Sequence, residues 1–576
     1  MNRFFRTVLV GGSAIVFGYL LCKCSTHLAA MRIYHADECR NVWLAHTLAT
    51  QKSESFGIEV NLLLMPLIWL SRGATQTIDL LVSARMISLM IFWLNLLLLA
   101  LATGEKLLSR GGLIALIGAV TLAPLWDFGF EFRTENLLLT GLLMAWCTVR
   151  LSQEKVSSYA LVGALSVAMQ FISPHALVYT APLSVVLFLF PRSQGTSFAR
   201  LLVVWAMGAI GMFLLLYGSY RAAGMWDAFV AGLPSMWTHS AASEETGRWL
   251  ILARLLWQTP LILALVIPGV IAAVRTFGSG EKRLSFWKSL LPEALFFLLA
   301  FLALFLSRVP QPNDLLEVVA FAYLLSFRYV RGLINDFWNF RLARPLMVVL
   351  VLFAHLVPFY RATRQHLAWP NHRQEAVIRF AEQFTVPNGD RVYDGIGMVA
   401  TRRGIYSQSF LESLRIQSTK RPETLFESPA AVVIWSYRNE RLPNSEWDFI
   451  RKHYVPLGDD FWVLGTTLPR GGGEFEVVYP GRYRISVRKL SNLLGTYPEG
   501  LADLMKAAAT KEVETPFEGT LDGLAIADAP VHLKVGTHRV ESKVDDEIAI
   551  VWVGPSLEKP PQVGRGDRRR LFVNGY

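Results

Sequence analysis

The sequence predicts a polytopic α-helical membrane protein carrying a water-exposed C-terminal region of α/β and β-sandwich type. Three observations predict it. Of 576 residues, 53% are hydrophobic and only 18% are charged, against about 25% charged in ordinary soluble domains. The apolar residues are gathered into long runs that end near Tyr360, and the remainder has the composition of a soluble protein. Arginine and lysine return in alternate loops between those runs, as they do in membrane proteins whose basic loops stay in the cytoplasm.

About eleven runs approach the ~20 residues that a crossing requires. They cover residues 7–26, 81–102, 111–127, 135–150, 157–172, 175–191, 201–220, 252–274, 290–307, 314–330 and 344–361. The first follows Arg3 and Arg6 and lacks a small-residue cleavage site, so it reads as an uncleaved membrane helix. With the N-terminus in the cytoplasm, Lys106, Arg110, Arg150, Lys155, Arg192, Arg200, Arg328 and Arg331 fall in cytoplasmic loops. The opposite turns "DFGFEFRTE", "ISPH" and "SRVPQPND" are poor in basic residues. An odd number of crossings then places the C-terminal region outside, which is the periplasm of a cell with two membranes. The net charge of +11 lies largely in the short loops, so it does not point to nucleic acid.

Two outside loops are long. Residues 27–82 contain "DECRNVWLAHTLAT" and "VNLLLMPLIWLSRG", which predict two helices at the membrane surface. Residues 221–249 are rich in Trp and His and also read as interfacial. The membrane domain spans 1–365. From 366 to 468 the pattern predicts a small α/β domain: helices at His372–Phe384 and Ser445–Tyr454, and strands at "DRVYD", "AAVVIW" and "DFWVLG". "PRGGGE" (Pro469–Glu474) reads as a linker, and 474–576 alternates as a β-sandwich does. The four cysteines lack a disulfide spacing and read as free thiols.

Two groups of outward acids are candidates for chemistry. Asp37 and Glu38 stand where the first membrane helix ends. Asp127, Glu131, Arg133 and Glu135 crowd the turn "DFGFEFRTENLLLTGLL", with Glu135 leading into an apolar run. Each has a plain structural reading: interfacial acids are solvated, and Glu135 favours a helix N-terminus while pairing with Arg133. The functional reading brings the two groups to one cavity. "YDGIGMVATRRG" imitates a dinucleotide-binding loop through Gly395, Gly397 and Ala400, but "TRRG" interrupts the helix such a loop needs, so a tight turn is the better reading. "GRGDRRR" near the C-terminus reads as a solvated basic tail.

An Asp-Glu pair opening the first outside loop, two surface helices, and an acidic turn between helices three and four together resemble the GT-C membrane glycosyltransferases. The nearest resemblance is to the protein O-mannosyltransferase and aminoarabinose-transferase group of bacteria. "FRTENLLLTGLLM", "AMQFISPHALVYTAPL" and "GIEVNLLLMPLIWL" are similar to segments of that family, over Asn2 to Pro358. Where relatives often carry a lysine before the Gly or Pro of the second segment, this chain has Ile172-Ser173.

The resemblance implies an enzyme that moves a sugar from a polyprenyl-phosphate donor to a glycolipid, glycan or protein acceptor outside the inner membrane. It implies Asp37 as the base that takes the acceptor's proton, with Glu38 orienting Asp37 or the acceptor. The departing phosphate needs cations or a metal. Arg40 and Arg133 are the candidates, with His46 and His175 behind them, and Glu135 would hold Arg133 or a divalent cation. The rival readings are a flippase or transporter of lipid-linked saccharides and a surface-polysaccharide ligase. Few ionisable residues sit in the middle of the apolar runs, which counts against a transport pathway.

Overall fold

The computed structural model describes residues 3–50, 56–57, 61–151, 155–190, 197–230, 246–277, 290–306, 315–336, 356–364, 370–387, 389–405, 417–418, 423–436, 439, 442–458, 460–487, 517–526, 529–544 and 546–555. The "SRVPQPND" turn, most of the 221–249 loop, the first part of the 344–361 run and "GRGDRRR" lie outside the described residues. By contacts the chain divides into two compact units. The first comprises residues 1–32, 57–65 and 83–370, and the second comprises 33–56, 66–82 and 371–576.

The helices follow the apolar runs. They are α1 (Arg3–Met31), α2 (Ala36–Thr50), α3 (Leu64–Ser71), α4 (Thr77–Ala102), α5 (Arg110–Val120), α6 (Ala123–Phe128), α7 (Thr134–Leu151), α8 (Ser158–Ile172), α9 (Leu177–Leu189), α10 (Phe198–Ala222), α11 (Thr246–Gln258), α12 (Pro260–Phe277), α13 (Leu291–Leu306) and α14 (Leu315–Asp336). Both helices expected in the first long loop are formed, as α2 and α3. Among the described residues, two helices are long and apolar enough to cross a membrane: Thr77–Ala102 and Phe198–Ala222.

Two of the expected spans are broken. Residues 111–127 form α5 and α6, because Leu122 is extended and Pro124, without an N–H, starts a new helix. Residues 252–274 break at Thr259, where Pro260 opens α12.

The first unit packs closely where small residues face each other. A Cβ on Gly163 of α8 would fall on the Trp205 carbonyl, and one on Gly208 of α10 would fall on the Ala160 carbonyl. Glycine at both places lets the two backbones approach. Trp126 stacks edge-on against Phe92, Phe130 and Phe359. Arg85 is buried in α4, and its Nη1 donates to the carbonyls of Ala29 (2.8 Å) and Arg32 (2.5 Å). A guanidinium in an apolar run here thus binds the carbonyls at the end of α1, where helical partners run out.

The second unit contains α2, most of α3, the start of α4, and a mixed α/β region. Its helices α15 (His372–Phe384) and α16 (Asn444–His453) match the sequence reading to within a residue. Its strands are β1 (Arg391–Tyr393), β2 (Arg403–Gly404), β3 (Val432–Ile434), β4 (Tyr454–Gly458), β5 (Phe461–Leu468), β6 (Gly472–Val477), β7 (Gly481–Val487), β8 (Gly519–Leu521), β9 (Leu524–Ile526), β10 (Val531–Leu533), β11 (Gly536–Ser542) and β12 (Ile548–Trp552). One sheet runs β10-β7-β12-β5-β3-β1-β2, with β4 also on β5, and a second runs β9-β8-β11-β6.

Strand β1 is parallel to β2 and β3 and the rest of the first sheet is antiparallel. The sheet continues across Pro469–Glu474. Long β5 pairs through Phe461–Val463 with β3 and through Gly465–Leu468 with β12. The segment expected as a linker is a turn in which Gly472 N–H donates to Pro469 O. Of the strands after this turn, β7, β10 and β12 thus join the sheet of β5, while β6, β8, β9 and β11 form the second sheet. The four cysteines are free, as expected.

Candidate active site

In the second unit, Asp37, Glu38 and Arg40 share the first turn and a half of α2. Glu38 is buried, and its Oε2 accepts from the backbone N–H of His35 at 2.8 Å. That is the reach of a third-position glutamate back to the residue before the helix. Asp37 N–H donates to His35 Nδ1, and the Asp37 carboxylate lies 3.6 Å from His35 Nδ1 and 3.9 Å from Arg40 Nη1. Asp37 keeps 32% of its side-chain surface exposed, so it stays within reach of another molecule. An acid in the first turn also gains from the helix dipole.

The rest of α2 is built into this unit. Trp43 is buried against Gly397, whose φ of +75° only glycine adopts readily; a Cβ there would stand 2.8 Å from Trp43 Cβ and Cγ. The loop bearing Gly397 is wound around Asp394. The carboxylate of Asp394 accepts from the N–H groups of Ile396 (2.9 Å), Gly397 (2.6 Å) and Val399 (3.0 Å). The dinucleotide-like spacing is thus a turn whose amide nest is filled by the chain's own carboxylate, leaving no place for a phosphate. Burial raises the pKa of Asp394 against those hydrogen bonds. Farther along α2, burial and then the nearby Arg402 guanidinium lower the pKa of His46.

In the first unit, the turn after α6 carries a buried ion cluster. Glu131 Oε1 takes Arg32 Nη2 at 2.5 Å, and Glu131 also pairs with Arg133 Nε. All three side chains are under a tenth exposed. Two guanidiniums around one carboxylate leave a net positive charge. The turn is pinned by Asn136, whose Nδ2 donates to the carbonyls of Phe128 and Glu131, and by Asn95, whose Nδ2 donates to Asn136 O at 2.9 Å. Glu135 lies in the first turn of α7, where Thr134 Oγ1 donates to it at 3.4 Å. Next to this turn, Asp127 accepts from Gln258 and stands 3.6 Å from Arg254, whose guanidinium lies over the Phe128 ring. His175 is exposed in a single 3-10 turn at Pro174–Ala176.

Among the described residues no group of three or more His, Cys, Asp or Glu side chains could hold a metal ion. Asp37 lies beside Arg40, and Glu131 lies between Arg32 and Arg133. A divalent cation at either carboxylate would meet a guanidinium, so these donor sets do not fit one.

No family model and no curated protein matches the chain. Solved structures do. ArnT from Cupriavidus metallidurans, bound to undecaprenyl phosphate, matches at 13% identity and a TM-score of 0.53, over 79% of this chain and 98% of that one. The fold is that of the GT-C glycosyltransferases. The oligosaccharyltransferase of Archaeoglobus fulgidus, tethered to an acceptor peptide, matches at 11% identity and a TM-score of 0.46, over 91% of this chain and 77% of that one.

Within this GT-C fold, several residues around the candidate site escaped the sequence reading. Arg32 follows α1 directly, and nothing in the local pattern sets it beside the acidic turn almost a hundred residues later. Arg85 and Arg254 carried a usable signal, because a lone arginine in an apolar run has a partner to find. Gln374 carried none, since its partner is the backbone of Tyr34, 340 residues earlier.

Proposed function

We propose that this protein is a glycosyltransferase that moves a sugar from a polyprenyl-phosphate donor to a glycolipid, glycan or protein acceptor at the periplasmic face of the inner membrane. The observation that carries the reading is the GT-C fold, which extends over 98% of an ArnT bound to undecaprenyl phosphate. In this reading residues 1–365 make up the membrane domain, with about eleven crossings and a cytoplasmic N-terminus. Residues 366–576 stand in the periplasm.

Asp37 serves as the base. It takes the proton of the acceptor hydroxyl or amine as that atom attacks C1 of the donor sugar, a contribution of about 10²–10⁴-fold. Its exposure and its place in the first turn of α2 support this role. Glu38 fixes that turn through the cap it forms on His35. The bond from C1 to the phosphate oxygen breaks, and the phosphate leaves with its negative charge. Arg40, 3.9 Å from Asp37, stabilises that charge.

The test uses purified protein in lipid nanodiscs with synthetic undecaprenyl-phosphate sugars and a panel of lipid A, glycan and peptide acceptors. Transfer by the native protein and a loss of about 10²-fold or more in Asp37→Asn are expected. Near-normal turnover by Asp37→Asn removes it as the base. Translocation of the donor without transfer favours the flippase reading.

A further inference from the structure

The second unit contains a clamp on the stretch of chain that enters α2. Gln374, at the third position of α15, is 1% exposed. Its Oε1 accepts from the Tyr34 N–H at 2.6 Å and its Nε2 donates to the Tyr34 carbonyl at 2.9 Å. A side-chain amide thus satisfies both backbone groups of one residue, as a neighbouring β-strand would. The Tyr34 hydroxyl adds a bond to Glu375 at 3.2 Å, and Asn371 holds Glu375 at 2.9 Å. The next residue, His35, is the one capped by Glu38, and Asp37 follows two residues later. Between the clamp and Asp37 there are therefore only two residues, one of them fixed by its own cap.

We infer that Gln374 is a positioning residue for the Asp37 turn: the soluble unit sets where the base points by holding the backbone of Tyr34. The inference rests on the proposed glycosyl transfer for its catalytic meaning and on the hydrogen bonds alone for its structural meaning. A two-bond clamp fixes both the height and the rotation of a peptide unit, whereas a single bond leaves it free to turn. Displacement of a reacting group by about 1 Å costs on the order of 10²-fold in rate. The role thus assigned to the C-terminal region is to align the machinery, and it requires no contact of that region with the acceptor.

The test is made on full-length protein in nanodiscs with two variants. Gln374→Met keeps the side-chain length and removes both bonds; Gln374→Asn keeps the amide and shortens its reach, and carries the test if the first fails to fold. Two quantities are measured. The first is amide hydrogen exchange, expected to rise about tenfold or more at residues 34–40 while the strands β5 and β12 stay protected. The second is turnover of the undecaprenyl-phosphate sugar per binding site, with sites counted by titration with undecaprenyl phosphate so that misfolded molecules are excluded. A fall of about tenfold with the donor KM within about twofold is expected. Unchanged exchange at 34–40, or full turnover per site in a protein whose exchange has risen, overturns the inference. Raised exchange in a protein that transfers no sugar even in its native form leaves the clamp standing as an anchor of α2, and overturns both the catalytic role of Gln374 and the reading it rests on.

Discussion

Replacing Gly397 by alanine tests how α2 is seated. Two costs arise. The φ of +75° places a Cβ in the left-handed region, which costs about 1–2 kcal/mol for an L-residue. The new methyl also meets Trp43 Cβ and Cγ at 2.8 Å, well inside contact distance, and Trp43 is 2% exposed with no free space to retreat into. Overpacking of that kind costs about 1–3 kcal/mol. Together they amount to about 2–5 kcal/mol, or a drop of about 5–15 °C in the melting temperature of a domain of this size.

Gly471 supplies the control. Its φ is +82°, and nothing lies within 4 Å of where its Cβ would be. Gly471→Ala carries the backbone cost alone, about half of the total or less. Both proteins would be melted in the same detergent at one scan rate, followed by tryptophan fluorescence, because such unfolding is often irreversible. Gly397→Ala is expected to melt several degrees below Gly471→Ala. Equal melting temperatures would refute the seating of Trp43 against this loop.

Two further outcomes follow from the charge arrangement. Glu131→Gln leaves Arg32 and Arg133 buried without their shared anion, at a cost of about 3–5 kcal/mol. The double change Glu131→Gln with Arg133→Gln should recover part of that loss, and thermal melting that shows no recovery would separate Arg133 from the cluster. The second outcome is a pH dependence. Burial lowers the pKa of His46 and of His453 below the ordinary histidine value. The unfolded chain then binds more protons than the folded one as pH falls below about 6.5, so stability present above that pH is lost in acid. Melting temperatures measured between pH 7.5 and 5.5 should fall, and His46→Asn should flatten the fall; an unchanged slope in that variant would exclude His46. His538 works in the opposite sense. Against a lowering by burial, its bonds to Asp522 and the Lys534 carbonyl hold its pKa up, so its contribution is full below the ordinary value and lost as pH rises.

Local pattern sufficed for the elements. Apolar runs marked where helices lie, and alternation with turn residues marked the strands of the C-terminal region; α15 and α16 were legible to within a residue because amphipathic spacing is a local property. The two broken runs, at Leu122 and Thr259, also had a local signal, a proline that opens a new helix, but hydropathy outweighed it in a window long enough to span. The Asp-Glu pair and the acidic turn were visible as charges in apolar company. Which charge meets which was not. Arg133 has acids at Glu131 and Glu135, two residues away on either side, and only the turn after α6, pinned by Asn136, brings Glu131 between Arg133 and the distant Arg32.

The sequence by itself determined the helical class, the positions of the apolar segments, the mixed α/β pattern of the C-terminal third and the residue types available for acid–base chemistry, because each depends on transfer of side chains from water and on short-range backbone preference. Tertiary structure alone decided that α2 belongs with residues 371–576, that β12 returns to extend β5 across the glycine-rich turn, and that Gln374 grips Tyr34. Those outcomes depend on hydrogen bonds and close packing between residues far apart in the chain, and backbone groups that find such partners leave no mark in the local pattern of side chains.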